Sequence, residues 1–136
     1  MKQPTLGREE ILRRKKLSES TRKMICGTLE IQEQDENSIK TTCKDFDLRI
    51  IFSELHPLML FCLEKPLEEI DGSISSKTNF ANLTSVLGSH CVNEYLGCYQ
   101  YRSTHWIDTE MTQTRFLEIL ERCVLEASRG YEKVAC

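Results

Sequence analysis

The chain has 136 residues, a formal net charge of -3, 40% hydrophobic and 29% charged residues, and a mean hydropathy of -0.39. That length holds one core of ordinary size, and the composition excludes wholesale disorder; a bilayer span needs about 20 consecutive apolar residues, against the six of Leu58–Leu63. Charge is unevenly spread: residues 1–24 carry eight basic and three acidic side chains, whereas residues 25–136 carry ten and eighteen, so a basic arm precedes an acidic body that repels polyanions and makes nucleic acid an unexpected partner.

Thr5–Met24 reads as a helix with Thr5 as its N-cap. Its apolar stripe of Leu6, Ile11, Leu12 and Leu17 is thin, which predicts a surface helix or one that extends from the body. The run Arg13-Arg14-Lys15-Lys16 could meet an acidic protein surface or anionic lipid, or simply face solvent. Gly27 is expected to end the helical pattern. Thr28–Glu33 alternates as a strand, Gln34–Ser38 turns, and Ile39–Cys43 returns as its hairpin partner. Apolar parity then switches across Lys44-Asp45, where a bulge or a turn longer than two residues is expected because the sequence lacks Asn-Gly or Asp-Gly.

Phe46–Phe52 alternates strictly and is the clearest strand. His56-Pro57 interrupts the ladder, and Leu58–Leu63 is read as a short buried strand in preference to a two-turn helix. Asp71-Gly72 marks a turn and Ser73–Thr78 an exposed loop. Asn79 is expected to cap a short helix with Phe80, Leu83 and Leu87 on one face and Gly88 as its stop. Val92–Arg102 reads as strand with a bend at Gly97, continued by Thr104–Ile107. From Asp108 or Thr112 onward Phe116, Ile119, Leu120, Cys123, Val124 and Ala127 recur at helical spacing, with Glu118, Glu121, Arg122 and Glu126 on the opposite face and Arg129-Gly130 as the end.

These elements predict an α+β fold: an antiparallel sheet, open or closed as a PH-like barrel, a basic N-terminal helix and a packed amphipathic C-terminal helix. Residues 1–24 form the arm, 25–130 one domain and 131–136 a tail. The decapeptide Cys43–Phe52, CKDFDLRIIF, resembles the C-K-D-F strand of the PH-GRAM domain in myotubularin-family proteins. That resemblance implies a PH-like sheet closed by a C-terminal helix. It spans ten residues, and with no Cys and Arg phosphatase loop in the chain it carries over neither activity nor site residue.

No Gly-rich phosphate loop, GxSxG or HExxH motif occurs. Seven cysteines without a CxxC pair fit neither a disulfide framework nor a zinc ribbon, and the charged N-terminus lacks the apolar core of an export signal. Reduced cysteines and a cytoplasmic or nuclear location are therefore expected, with no metal or cofactor. A small metal- or thiol-dependent enzyme would have to use Cys91, Cys98 and His105, whose spacing matches no common ligand or nucleophile pattern. An anionic-lipid-binding PH-like domain is a further alternative, through the basic arm. The aromatic segment Tyr95, Tyr99, Tyr101, Arg102 and Trp106 suits a protein or peptide contact better, since Tyr, Trp and Arg are the residues that anchor interfaces. The sequence thus reads as a non-enzymatic intracellular adaptor or complex subunit, with that strand edge and Arg13–Lys16 as binding residues.

Overall fold

The computed structural model describes residues 7–53 and 56–135, in the order α1 (Arg8–Thr28), β1 (Glu33–Gln34), β2 (Ser38–Cys43), β3 (Phe46–Phe52), β4 (Leu58–Pro66), α2 (Ile74–Leu83), β5 (Ser89–Asn93), β6 (Cys98–Trp106) and α3 (Gln113–Ala135). All strand pairs are antiparallel and the sheet runs β1-β2-β3-β4-β6-β5. Pairing to β6 from both sides makes β4 and β5 parallel to each other, so α2 carries a crossover between them.

The sheet is open, and the expected PH-like barrel is corrected: β1 and β5 are its two edges and do not meet. The physical reason is α3. A 23-residue helix is about 35 Å long, and together with α1 and α2 it fills one face of the sheet. Its Phe116, Leu120, Cys123, Ala127 and Val134 join Ile39, Leu48, Ile50, Phe61, Leu63, Tyr99 and Tyr101 of the strands and Ile25 of α1 in one core. Phe61 and Phe116 meet edge to face with centroids 6.0 Å apart. With the core filled from one side, the sheet has no second half to close against.

Several local expectations change with packing. α1 continues through Gly27 to Thr28, because burying Ile25 stabilises by about 1.5–3 kcal/mol whereas a helical glycine costs about 1. The expected strand Thr28–Glu33 shrinks to Glu33–Gln34, paired with Lys40 and Ile39. Thr5 and Leu6 lie outside the described residues. Arg22 ties α1 to the sheet by donating to the Glu36 carbonyl at 2.7 Å and to the Asp35 carbonyl.

Lys44-Asp45 forms neither a bulge nor a long turn but a two-residue reversal between the paired Cys43 and Phe46, with Lys44 in the left-handed region at φ 56°. Phe46–Phe52 is a strand as expected, and Leu58–Leu63 is a strand that runs on to Pro66. Of the expected loop Ser73–Thr78, Ser73 is the N-cap and the rest is helical. Asp71 initiates α2 by accepting the Ser73 backbone N–H at 2.8 Å, and Ile74 and Ala81 provide its buried side. Phe80, Leu83 and Leu87, expected on one face of a helix capped by Asn79, are exposed, and Asn79 is interior to the helix.

The segment Val92–Arg102 is two strands rather than one bent strand. Gly97, at φ 65°, completes the reversal between Asn93 and its partner Cys98. Thr112 caps α3, its hydroxyl accepting the Arg115 N–H at 3.2 Å. α3 does not stop at Gly130 and includes Tyr131–Ala135. A Cβ on Gly130 would overlap the His90 ring and the Tyr99 hydroxyl, so glycine here permits close approach of helix to sheet instead of ending the helix.

Candidate protein-docking surface

Strand alternation sends every second residue of the sheet to the face opposite the core, and the register aligns those residues into bands across the strands. One band is Lys40, Arg49, Cys62, Arg102 and Ser89 on five successive strands. To one side lie Thr42, Asp47, Glu64, Gln100 and Cys91; to the other lie Ile51, Leu60 and Thr104, then the directly paired Leu58 and Trp106. This face therefore passes from acidic through basic to apolar along the strands.

Trp106 is 60% exposed, while Ile51, Leu58 and Leu60 are half-buried. Glu64 accepts from Gln100 at 2.9 Å and from the Cys62 thiol at 3.6 Å. Burial and the adjoining carboxylate push the Cys62 pKa up to about 12, so it is a neutral thiol in this face. Lys40 and Arg49 are cross-strand partners, a like-charge pairing that disfavours the sheet. Lys40 has only a long contact with Glu33, at 4.0 Å, and Arg49 and Arg102 have no ion pair among the described residues. The basic band is thus open to an anionic group supplied by a ligand.

The structure divides the aromatic segment. Tyr95 is fully exposed on the β5–β6 turn, Tyr99 and Tyr101 are fully buried, and Arg102 and Trp106 point to the open face. β6 is an interior strand rather than an edge. Period-two parity separates the odd-numbered tyrosines from the even-numbered Arg102 and Trp106, and the same parity applied to β3 and β4 exposes Arg49, Ile51, Leu58 and Leu60, which reading by residue type alone missed.

The buried tyrosines anchor the helical layer. Tyr99 hydroxyl meets His90 Nδ1 at 2.5 Å, and Tyr101 hydroxyl donates to Glu126 at 2.8 Å. Burial pushes both phenols up and His90 down, which keeps all three neutral. Glu126, expected on the solvent face of α3, instead accepts from the backbone N–H groups of Val86 and Gly88, both at 2.9 Å, of Leu87 at 3.0 Å, and from the Ser85 hydroxyl at 2.9 Å. Burial alone would raise its pKa, but these donors and Tyr101 outweigh it and hold the carboxyl at about 2. This latch fixes the loop after α2, placing Val86, 88% exposed, and Leu87 beside Leu60 and Arg102 at the rim of the open face.

The basic arm is partly engaged. Arg13 donates to both Glu10 carboxylate oxygens, at 2.9 and 2.8 Å, and to the Asp108 carbonyl at 3.1 Å; Arg14 donates to Glu10 at 2.9 Å. These bonds hold the Glu10 carboxyl at about 2. Lys15 and Lys16 are exposed and make no ion pair among the described residues.

Cys91, Cys98 and His105 are not assembled into one centre. Cys91 and Cys98 belong to the open face, whereas His105 lies on the core side, seven residues and about 23 Å along β6 from Cys98. His105 Nε2 instead meets Ser103 Oγ at 2.9 Å and Cys123 Sγ at 3.5 Å. Burial lowers the His105 pKa and raises that of Cys123, which favours imidazole and thiol over the ion pair a nucleophilic cysteine uses.

Among the described residues no helix is long and apolar enough to cross a membrane. No family model and no curated protein sequence matches the chain. Its fold does match solved structures. YbjN of E. coli superimposes with a TM-score of 0.60 at 10% identity, over 85% of this chain and 87% of YbjN. A chain of the HopA1–SchA chaperone–effector complex matches with a TM-score of 0.54 at 14% identity, over 93% and 98%. A chain of the heterodimeric ExoU–SpcU complex from the type III secretion system of Pseudomonas aeruginosa matches with 0.53 at 12% identity, over 82% and 91%. The protein therefore has the open, one-sided α+β fold shared by YbjN and chains of these secretion complexes.

Proposed function

We propose that this protein is a non-enzymatic intracellular interaction module that holds a segment of a partner protein on the helix-free face of its sheet. The observation that carries the reading is Trp106, 60% exposed and paired with Leu58, on the same face as the cations of Lys40, Arg49 and Arg102. Trp and Arg contribute most to association when a partner desolvates them together. The banding calls for a segment with apolar side chains over Trp106, Leu58 and Leu60 and a carboxylate over the basic row. Two structures with this fold are of protein complexes, one named as a chaperone bound to its effector, which supports a holding role without identifying the partner.

Co-purification of the tagged full chain from its native host, quantified against Trp106→Ser and Arg102→Glu, tests the proposal. Both positions are exposed, so circular dichroism should remain native. The expected result is a partner retained by the parent and reduced about tenfold or more by either substitution. A partner set unchanged by both would overturn the reading.

A further inference from the structure

A second surface lies on the helical layer and meets the bands of the sheet only at Val86 and Leu87. α2, the loop after it and α3 enclose a groove of about 440 Å³ whose apolar lining includes Val86 and Leu87 from the loop and Leu125 from α3. Phe80 and Leu83 extend this apolar surface along α2, 56% and 83% exposed. Arg129 and Lys133 follow Leu125 along α3 at four-residue spacing and line the same side of the groove; Lys133 Nζ donates to Thr84 Oγ1 at 2.8 Å and stands 5.3 Å from the Phe80 ring centroid. Neither cation has an ion pair among the described residues. The one carboxylate lining the groove, Glu126, already accepts from Tyr101, Ser85 and the backbone of the loop, so it does not neutralise them.

We infer that this groove docks an acidic amphipathic helix of a partner protein, with its apolar face against Val86 and Leu125 and its carboxylates on Arg129 and Lys133. Charge selects this occupant. A free pair of cations beside exposed aliphatic side chains complements a segment that alternates apolar and acidic residues, and repels one flanked by lysines. A second copy joined about a two-fold axis through the groove would gather the cations of both chains into one patch, which opposes that pairing. The groove shares Val86 and Leu87 with the rim of the open sheet face, but Leu125, Arg129 and Lys133 belong to the groove alone, and substitutions there test it separately.

The test uses the full chain and two fluorescein-labelled model helices with identical leucines at i, i+3, i+4 and i+7, one flanked by glutamates and the other by lysines. Fluorescence anisotropy at about 50 mM and 300 mM salt should show the glutamate peptide binding at least about tenfold more tightly, with the difference shrinking at the higher salt. Arg129→Glu with Lys133→Glu should invert the preference. Leu125→Gln, in the groove but not at the rim of the sheet face, should weaken the glutamate peptide, and should do so equally in a chain that also carries Trp106→Ser. Equal binding of the two peptides, no binding of either, or indifference to the groove substitutions overturns the inference. Concentration-dependent dimerisation abolished by Leu125→Gln would also overturn it, by assigning the groove to a second copy.

Discussion

The hydroxyl of Tyr101, in the middle of the sheet, donates to the carboxylate of Glu126 on α3 at 2.8 Å, and that same carboxylate holds the backbone of the Ser85–Gly88 loop. One side chain thus joins β6, α3 and the loop that follows α2. Glu126→Gln retains the volume but loses the charge that strengthens each bond, and should lower stability by roughly 2 kcal/mol. Urea denaturation at neutral pH measures it, and a cost below a few tenths would show that water replaces the latch.

The same latch has a pH signature. Glu126 is held at about 2 in the folded protein against an ordinary 4.5, so its contribution is complete above about pH 4.5 and is lost as pH falls toward 2. His90 and His105 also disfavour acid, because burial lowers their pKa values and unfolding lets them charge. The difference in stability between the parent chain and Glu126→Gln isolates the carboxylate. It should be constant from pH 7 to 5 and shrink at pH 3.5; a constant difference throughout would contradict the depressed pKa.

Gly130→Ala tests why α3 passes through a glycine. Helix propensity alone predicts a gain of about 1 kcal/mol, but the new methyl would collide with His90 and Tyr99. Overpacking of a buried contact should dominate and destabilise the protein by roughly 1–3 kcal/mol, read as a lower Tm. A raised Tm would mean that helix and sheet separate without cost.

Lys44 is a non-glycine residue at φ 56° in a two-residue hairpin. Lys44→Gly removes the steric penalty of that conformation and should stabilise the β2–β3 hairpin by about 0.5–1 kcal/mol after the added flexibility of the unfolded chain is discounted. Thermal unfolding of the single variant checks the sign.

Trp106 provides the separation of binding from folding. At 60% exposure its replacement by serine should change stability by less than about 1 kcal/mol while removing the anchor of the open face. A large loss of stability would instead place Trp106 among the structural residues and withdraw it from the docking surface.

Much of the fold is legible in local pattern. The strict alternation of Phe46–Phe52 and the helical recurrence from Phe116 to Ala127 survive because their apolar period agrees with the surface each must bury. The proposed docking surface is half legible. Arg102 and Trp106 stand out by residue type, and parity along β6 sets them apart from Tyr99 and Tyr101. Lys40, Arg49 and Leu58 join them only through register, which depends on which strands pair.

The chain by itself determines the class, an antiparallel sheet with terminal helices, because apolar period is written residue by residue. Tertiary packing decides that the sheet stays open rather than closing as a barrel, that Gly27 and Gly130 lie within helices, and that the stretch from Ile74 to Thr78, expected as loop, becomes the first part of α2. In each case the local preference is about 1 kcal/mol or less per residue, smaller than the burial of a single core side chain such as Ile25, Ile74 or Val134. Glu126 shows the same rule for a polar group. Its place on the helix surface is set by periodicity, but its role is set by donors about 40 residues and, for Tyr101, 25 residues away in sequence, which meet it only once the sheet and α3 have packed.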